Sequence, residues 1–236
     1  DVFTANDYLR PIIGQQQSTF NFREVMDTRK ILLVNLSKGR LGDINANLIG
    51  MIVVGKLLMA ALSRVDTPSD QLAPFFLHID EFQNVSTPSI SAILSEARKY
   101  KLGLVVAHQF IAQLDEPIRD AVFGNVGSMA VFRVGPEDAQ FLEHQLGTVF
   151  AANEIMNIPN YQAYMRILAN GVPTQPFSMN AAAPPEVDVS RVPALIAGSL
   201  ERYGKSRSEV EQDIQARYQK LQPPIAPPAP TSAPPA

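Results

Sequence analysis

The amino-acid sequence predicts an α/β fold, with a mainly parallel sheet flanked by helices and a β-hairpin at one edge. Strand-like apolar runs alternate with helix-like runs from about residue 31 onward. The strand-like runs are almost continuously apolar, which is typical of parallel strands covered on both faces. An Asn170-Gly171 pair between two short β-like runs over 163–179 is typical of a hairpin turn and adds antiparallel strands.

The individual helices and strands are predicted from runs of apolar residues and from residue types that begin or end a helix. The predicted strands are 31–36, 75–80, 102–109 and 128–134, and the predicted helices are 47–63, 89–100, 116–125 and 136–147. Pro117 and Pro136 stand in first turns, where the missing N–H costs nothing. Gly147 is the residue type that ends a helix.

The C-terminal part of the chain differs in composition from the rest. We expect a core over 1–183, a linker with two helices over 184–221, and a proline-rich extended tail over 222–236. Ser206 and Glu209 have the spacing of a capping box at the start of the second helix.

Composition limits the possible chemistry. The chain has 236 residues and 46% hydrophobic residues, enough to bury a substantial core. A formal charge of −3 at pH 7 gives no general attraction to nucleic acid, which leaves local basic strips as the candidates. The absence of cysteine excludes disulfides, thiolate catalysis and cysteine-ligated zinc. The three histidines lack metal-ligand spacing and are interpreted as structural or surface residues.

The segment GMIVVGKL, residues 50–57, has the spacing of a phosphate-binding P-loop. A P-loop needs a preceding strand, small residues whose N–H groups wrap the phosphates, and Ser or Thr after the lysine. Four bulky apolar residues stand inside this segment, and Leu57 follows Lys56. We therefore expect a buried helix over 47–63 with Lys56 reaching the surface along its stem. This apolar run falls short of the ~20 residues of a membrane span.

The strongest chemical signal is FFLHIDEFQNV, in which Asp80 and Glu81 end an apolar strand. This is the pattern of a Walker B motif, in which Asp80 holds Mg²⁺, directly or through water, and Glu81 polarises the attacking water. The carboxyl end of such a strand is where α/β sheets place ligands. The alternative is a strand that ends in two solvated carboxylates capping the next turn.

Three further segments supply candidate site residues. Gln109 ends the next strand and is a candidate sensor of the γ-phosphate, with helix capping as the alternative. Arg98 is a candidate arginine finger for a neighbouring subunit, although a basic residue there also suits the end of a helix. Lys38 and Arg40 in SKGRLG are weak candidates for contacts with the DNA backbone.

Three long segments closely resemble the C-terminal half of conjugative coupling ATPases of the TraG/TraD type, within the HerA/FtsK superfamily. These segments are ILLVNLSKGRLGDINANLIG, FFLHIDEFQNVSTPSISAILSEARKYKLGLVVAHQFIAQL and VFGNVGSMAVFRVGPEDAQFL. The resemblance covers about residues 1–180. It implies a RecA-like P-loop ATPase domain that assembles as a hexameric ring, binds ATP and Mg²⁺ between subunits, and passes DNA, often single-stranded, to a type IV secretion channel.

Carried over by motif position, the resemblance makes Asp80 and Glu81 the Walker B pair, Gln109 the sensor and Arg98 the residue offered to the next subunit. The family's Walker A motif and membrane helices have no counterpart in this sequence. We therefore expect a C-terminal portion of the motor, the cytoplasmic part of a protein associated with the inner membrane. Such a portion binds ATP poorly on its own.

Two alternative functions are kept. One is a HerA-like translocase that processes DNA ends. The other is a non-catalytic module that docks a relaxosome protein through the helices of 194–221 and the proline-rich tail.

Overall fold

The structure is a computed structural model that describes residues 6–221. The chain divides into two compact units. The sheet unit is Asn21–Asp188, and the helical unit combines the residues up to Phe20 with those from Val189 onward. The domain boundaries at 183 and 221 remain a prediction, and the proline-rich segment 222–236 lies outside the described residues.

Helices occupy the first part of the described chain, and strands enter from Phe75 onward. The helices are α1 (Leu9–Ile13), α2 (Phe22–Asp27), α3 (Lys38–Leu41), α4 (Asp43–Leu62), α5 (Pro88–Glu96), α6 (Glu116–Asn125), α7 (Pro136–Gln145), α8 (Ala152–Met156), α9 (Val192–Tyr203) and α10 (Arg207–Leu221). The strands are β1 (Phe75–Ile79), β2 (Leu102–Val106), β3 (Met129–Val131), β4 (Gln162–Arg166), β5 (Leu168–Ala169), β6 (Val172–Pro173) and β7 (Phe177–Asn180). Short 3₁₀ turns cover Ser63–Asp66, Phe82–Asn84, Ala97–Tyr100, Ile111–Gln113 and Val189–Arg191.

Strands β1 and β2 form a parallel pair, with Phe75 opposite Leu102 and Ile79 opposite Val106. One face of this pair packs on the main hydrophobic core through alternate residues of β1. On the other face the ring of Phe76 covers Gly103 so closely that a Cβ there would lie 2.7 Å from it. A larger residue at this point of the pair would therefore displace the Phe76 ring, which is 61% exposed.

The strand predicted over 31–36 is wrong, because this segment forms no strand in the structure. No strand in the described part of the chain pairs with this segment to share its hydrogen bonds, and Ile31 and Leu33 are 89% and 83% exposed. The strand predicted over 128–134 also leaves the parallel sheet, because β3 (Met129–Val131) pairs antiparallel with β4. Within residues 6–221, parallel pairing is therefore limited to the two-stranded sheet β1–β2, which is smaller than predicted.

The remaining strands pair in antiparallel fashion. β4 lies between β3 and β7, and β5 pairs with β6. Asn170 and Gly171 have φ angles of 52° and 81°, as a tight hairpin turn requires. The hairpin predicted from the Asn-Gly pair is therefore confirmed, but its place at the edge of the parallel sheet is wrong, because β5 and β6 form a separate two-stranded sheet. A second hydrophobic cluster lies beneath this sheet and includes Val131, Leu142 and Ile155.

Helix α4 contains the whole of the GMIVVGKL segment, so the P-loop spacing is a coincidence of sequence, as predicted. Val54, Leu57 and Ala61 face the core, while Lys56 is exposed. Within the described chain, this helix and the turn to Asp66 form the one candidate for a membrane span by length and composition. The burial of its apolar face in the core is typical of a core helix.

A buried arginine ties the start of the parallel pair together. Arg64 is fully buried in the turn after α4. Its Nη1 donates to the carbonyls of Ala73 (3.1 Å) and Tyr100 (3.0 Å), just before β1 and β2. Its Nε donates to Asp27 Oδ1 at 2.9 Å. Because a buried cation needs partners, this network fixes the amino ends of both strands.

The helical unit contains both helices predicted from the C-terminal sequence. Glu209 N donates to Ser206 Oγ (3.2 Å) and Ser206 N to Glu209 Oε2 (3.3 Å), which confirms the predicted capping box. Ile214 of α10 is buried beside Gly14. Helix α9 buries none of its residues and exposes an apolar stripe that includes Leu195, Ile196 and Leu200.

Candidate active site at the carboxyl end of the parallel strands

The predicted Walker B residues and the predicted sensor meet at one edge of the sheet. Asp80 and Glu81 follow β1 directly, and Gln109 stands three residues beyond the end of β2. Because the strands are parallel and in register, their carboxyl ends open at the same edge. Gln109 Nε2 donates to Glu81 Oε1 at 2.6 Å, so the predicted proximity of these residues is observed.

The Glu81 carboxylate is held by two amides. Besides Gln109 on Oε1, Gln83 Nε2 donates to Oε2 at 2.7 Å. Each carboxylate oxygen therefore has its own side-chain donor, which fixes both the position and the plane of the group. The Glu81 side chain is only partly buried, so solvent and ligands reach it.

The backbone at Glu81 is in the left-handed region, with φ 49° and ψ 47°. This conformation costs a non-glycine residue roughly 1–3 kcal/mol and concentrates at functional sites. The surrounding structure enforces it, because Phe82 N donates to the carbonyl of Ala107 at 2.9 Å and the Phe82 ring is fully buried. The chain must turn sharply between the strand and this anchor, and Glu81 occupies the turn.

The electrostatics of the cluster favour the charged form of Glu81. Its pKa is lowered, first by the hydrogen bond from Gln83, then by that from Gln109 and by the positive charge of Lys38, while burial acts in the opposite direction. A carboxylate held as an anion accepts a hydrogen bond from water. The arrangement is therefore able to orient and polarise a water molecule.

Asp80 is exposed and supplies the second carboxylate. Its Oδ1 accepts a hydrogen bond from the N–H of Glu81 at 2.9 Å, and Oδ2 points to no donor within residues 6–221. No group of three or more acidic or histidine side chains suited to a metal occurs in that part of the chain. Mg²⁺ bound to nucleotide keeps several waters and takes only one or two protein carboxylates. Asp80 therefore fits Mg²⁺ as a single ligand.

Lys38, a weak candidate for contact with DNA, also has an electrostatic effect on Glu81. It begins the short helix α3, and its Nζ is 3.2 Å from Asp43 Oδ1. Its charge nevertheless acts on Glu81. Both Lys38 and Arg40 are exposed, and their predicted contact with DNA stays a prediction.

Arg98 lies at the opposite end of the β1–β2 pair from Asp80 and Glu81. It is exposed in the 3₁₀ turn Ala97–Tyr100, immediately before β2. This is the amino end of the parallel pair, whereas Glu81 and Gln109 stand at the carboxyl end. A role for Arg98 in the site of a neighbouring subunit stays a prediction.

A cleft of about 620 Å³ lies beside Gln109 and is lined by His108, Phe110 and residues 129–135. The pKa of His108 is lowered by burial, partly offset by the charge of Asp138. Asp138 is buried at the start of α7, where its Oδ2 accepts the N–H of Ile111 at 3.2 Å. His108 and Asp138 thus form part of the wall of the cleft next to Gln109.

Sequence reasoning missed Gln83. The one available signal was an amide residue two positions after Glu81, in DEFQN. In a regular strand, residues two positions apart share a face but lie about 6.6 Å apart. Here the left-handed backbone of Glu81 and the 3₁₀ turn Phe82–Asn84 bring the two side chains within hydrogen-bond distance.

Comparison with proteins of known structure identifies a similar fold. No family model matches the sequence, and a search of curated proteins found no match. The plasmid coupling protein TrwB in complex with ADP and Mg²⁺ aligns with 64% of this chain and 38% of its own, at 19% identity and a TM-score of 0.50. The chain is similar in fold to a conjugative coupling protein. The resemblance predicted from the sequence is therefore confirmed for the α/β fold, over little more than a third of the TrwB chain.

Two other solved structures give lower scores. TrwB with the GTP analogue GDPNP aligns with 62% of this chain and 38% of its own, at 19% identity and a TM-score of 0.49. The genome-packaging NTPase B204 from Sulfolobus turreted icosahedral virus 2, in complex with AMPPCP, aligns with 71% of this chain and 74% of its own, at 15% identity and a TM-score of 0.48.

Proposed function

We propose that this chain is the C-terminal part of an ATP-driven DNA-translocating motor of the coupling-protein type. The observation that carries the proposal is the Glu81 carboxylate, held by amides from two segments at the carboxyl end of a parallel strand pair and adjacent to the exposed Asp80. The fold shared with TrwB supports the same conclusion.

Each residue of the cluster has a distinct task in this proposal. Glu81 accepts a hydrogen bond from the attacking water and orients it. Asp80 holds Mg²⁺, and the amide of Gln109 turns from Glu81 toward the γ-phosphate. ATP with Mg²⁺ supplies the transferable phosphoryl group and neutralises its charge when bound.

The phosphate-binding loop belongs, in this proposal, to another segment of the parent protein, by which we mean the longer motor that contains this chain. GMIVVGKL is helical and offers no loop of free N–H groups. Subunits of the parent assemble as a ring around DNA, with Arg98 offered to the neighbouring site and Lys38 and Arg40 as candidate phosphate contacts. The ring delivers DNA or a DNA–protein substrate from a relaxosome to a secretion channel.

The test is DNA-stimulated ATP hydrolysis by this chain, alone and joined to the segment that carries the phosphate-binding loop. We expect turnover only in the joined protein. In that protein, Glu81→Gln reduces turnover about 10²- to 10⁴-fold, the range of a lost general base, and leaves nucleotide binding intact. Glu201→Gln is the matched control, since Glu201 is an exposed glutamate of α9.

Two results would overturn the proposal. Turnover by the chain alone would mean that its phosphate site lies within these 236 residues. Unchanged turnover in the joined Glu81→Gln protein would remove Glu81 from the chemistry.

A further inference from the structure

We propose that Gln83 is a positioning residue that keeps the Glu81 carboxylate aimed at the attacking water, a role that rests on the proposed function of Glu81. Gln83 has no part in the Walker B and sensor assignments. It makes its contact from the 3₁₀ turn that follows Glu81.

The geometry of the amide supports this role. Gln83 Nε2 lies 2.7 Å from Glu81 Oε2, within the range of a charge-assisted hydrogen bond. Gln83 Oε1 is buried and has no hydrogen-bond partner within residues 6–221. Rotating the amide by half a turn would place this oxygen against the carboxylate, where the two acceptors repel. The orientation of Gln83 is therefore set by Glu81.

The backbone under Gln83 is firmly held. Phe82 before it is fully buried, and Asn84 N after it donates to the carbonyl of Glu81 at 2.9 Å. Gln109, in contrast, is exposed, and so is Phe110 after it. The two amides that hold Glu81 thus belong to segments of different burial.

This difference gives the two glutamines different roles. When Gln109 turns toward the γ-phosphate, Glu81 Oε1 is freed to accept a hydrogen bond from water. Gln83 remains on Oε2 and prevents the carboxylate from rotating with it. The charge of Lys38 lowers the pKa of Glu81 but does not fix the plane of its carboxylate.

The test is the steady-state kinetics of Gln83→Met in the joined protein that hydrolyses ATP. Methionine keeps the length of the side chain and removes the donor. We expect kcat to fall about ten- to a hundredfold, as for a misplaced catalytic group, with the KM for ATP and the thermal midpoint unchanged. Gln113→Met is the matched control, because Gln113 is an exposed glutamine in the 3₁₀ turn Ile111–Gln113, and we expect it to behave as wild type.

The outcomes separate the two proposals. If Glu81→Gln abolishes turnover and Gln83→Met leaves kcat unchanged, the positioning role is wrong and the proposed function stands. If Glu81→Gln leaves turnover intact, the proposed function fails first. A fall in kcat accompanied by a lower thermal midpoint and a higher KM would make Gln83 a merely structural residue and overturn the inference.

A second measurement uses the 236-residue chain itself and needs no catalysis. Side-chain amide hydrogen exchange, followed by NMR, is expected to be slower at Gln83 than at Gln113. Glu81→Ala should abolish the difference. Equal exchange at the two glutamines in the wild-type chain would show that the contact is absent in solution and would overturn the inference.

Discussion

The two ends of the β1–β2 pair are joined by different kinds of polar contact. At the amino end, the buried guanidinium of Arg64 bonds the carbonyls of Ala73 and Tyr100. At the carboxyl end, the partly exposed carboxylate of Glu81 accepts the amide of Gln109. Both contacts bridge the same two strands.

The difference separates structural from chemical use of charge. Arg64 bonds backbone groups that cannot move, and its burial makes each of those bonds costly to lose. Glu81 bonds two side-chain amides, of which that of Gln109 is exposed, and its own backbone lies in the left-handed region. We therefore expect loss of the amino-end contacts to lower stability most, whereas the proposed role of the carboxyl-end contacts is in catalysis.

The largest effect is expected from breaking the amino end. Arg64→Met leaves the carbonyls of Ala73 and Tyr100 and the carboxylate of Asp27 without this donor. We expect the free energy of unfolding to fall by about 2–4 kcal/mol, measured by urea denaturation, because two backbone carbonyls lose their buried donor. The matched change at the other end, Gln109→Met, should cost less than about 0.5 kcal/mol, because Gln109 is exposed. Similar losses of unfolding free energy in the two variants would show that the two ends contribute equally to stability.

Arg98 is a potential exception to this division between the two ends. It lies at the amino end of the pair, yet it is predicted to act in catalysis. In the joined protein, we expect Arg98→Ala and Glu81→Gln subunits, each nearly inactive alone, to recover roughly a quarter of wild-type hydrolysis when mixed one to one. A trans arginine is worth about 10³- to 10⁵-fold in turnover, and about a quarter of the sites in the mixture combine an intact Glu81 with an intact Arg98 from the adjacent subunit. A mixture no more active than the separate variants would exclude Arg98 from the neighbouring site.

The smallest expected effect is a pH dependence of stability that arises from His108, near the carboxyl end of the pair. The folded-state pKa of His108 lies below its ordinary value of about 6.5, because burial disfavours the charged ring. The unfolded chain therefore takes up a proton first, so stability is fully present above about pH 6.5 and declines as the pH falls through the folded pKa. Urea denaturation between pH 7.5 and about pH 5 should show this decline, and His108→Gln should flatten it. An identical pH dependence in the variant would exclude His108 as its source.

Elements defined by local sequence were predictable. Helix α6 lies where its apolar spacing and Pro117 placed it, and the Asn170-Gly171 turn dictates its own backbone geometry. The strand expected over 31–36 was not predictable in this way, because a strand forms only where a distant partner shares its hydrogen bonds. The apolar composition of this segment does not reveal whether such a partner is present.

The site was predictable only in part, for a related reason. Asp80, Glu81 and Gln109 follow apolar strands, and a parallel register brings such residues together without further information. The contact of Gln83 depends on the left-handed turn at Glu81, and the network of Arg64 depends on carbonyls distant in sequence. Neither arrangement has a local pattern that distinguishes it from an ordinary polar surface.

The exposed apolar segment 31–36 has a consequence for the behaviour of the chain in solution. It combines high β-propensity with no charge, the composition of an aggregation-prone window. Lys30 and Lys38 stand on either side of the uncharged run 31–37 and act as charged gatekeepers. Neutralising these two lysines is therefore expected to lower the solubility of the chain without altering its core.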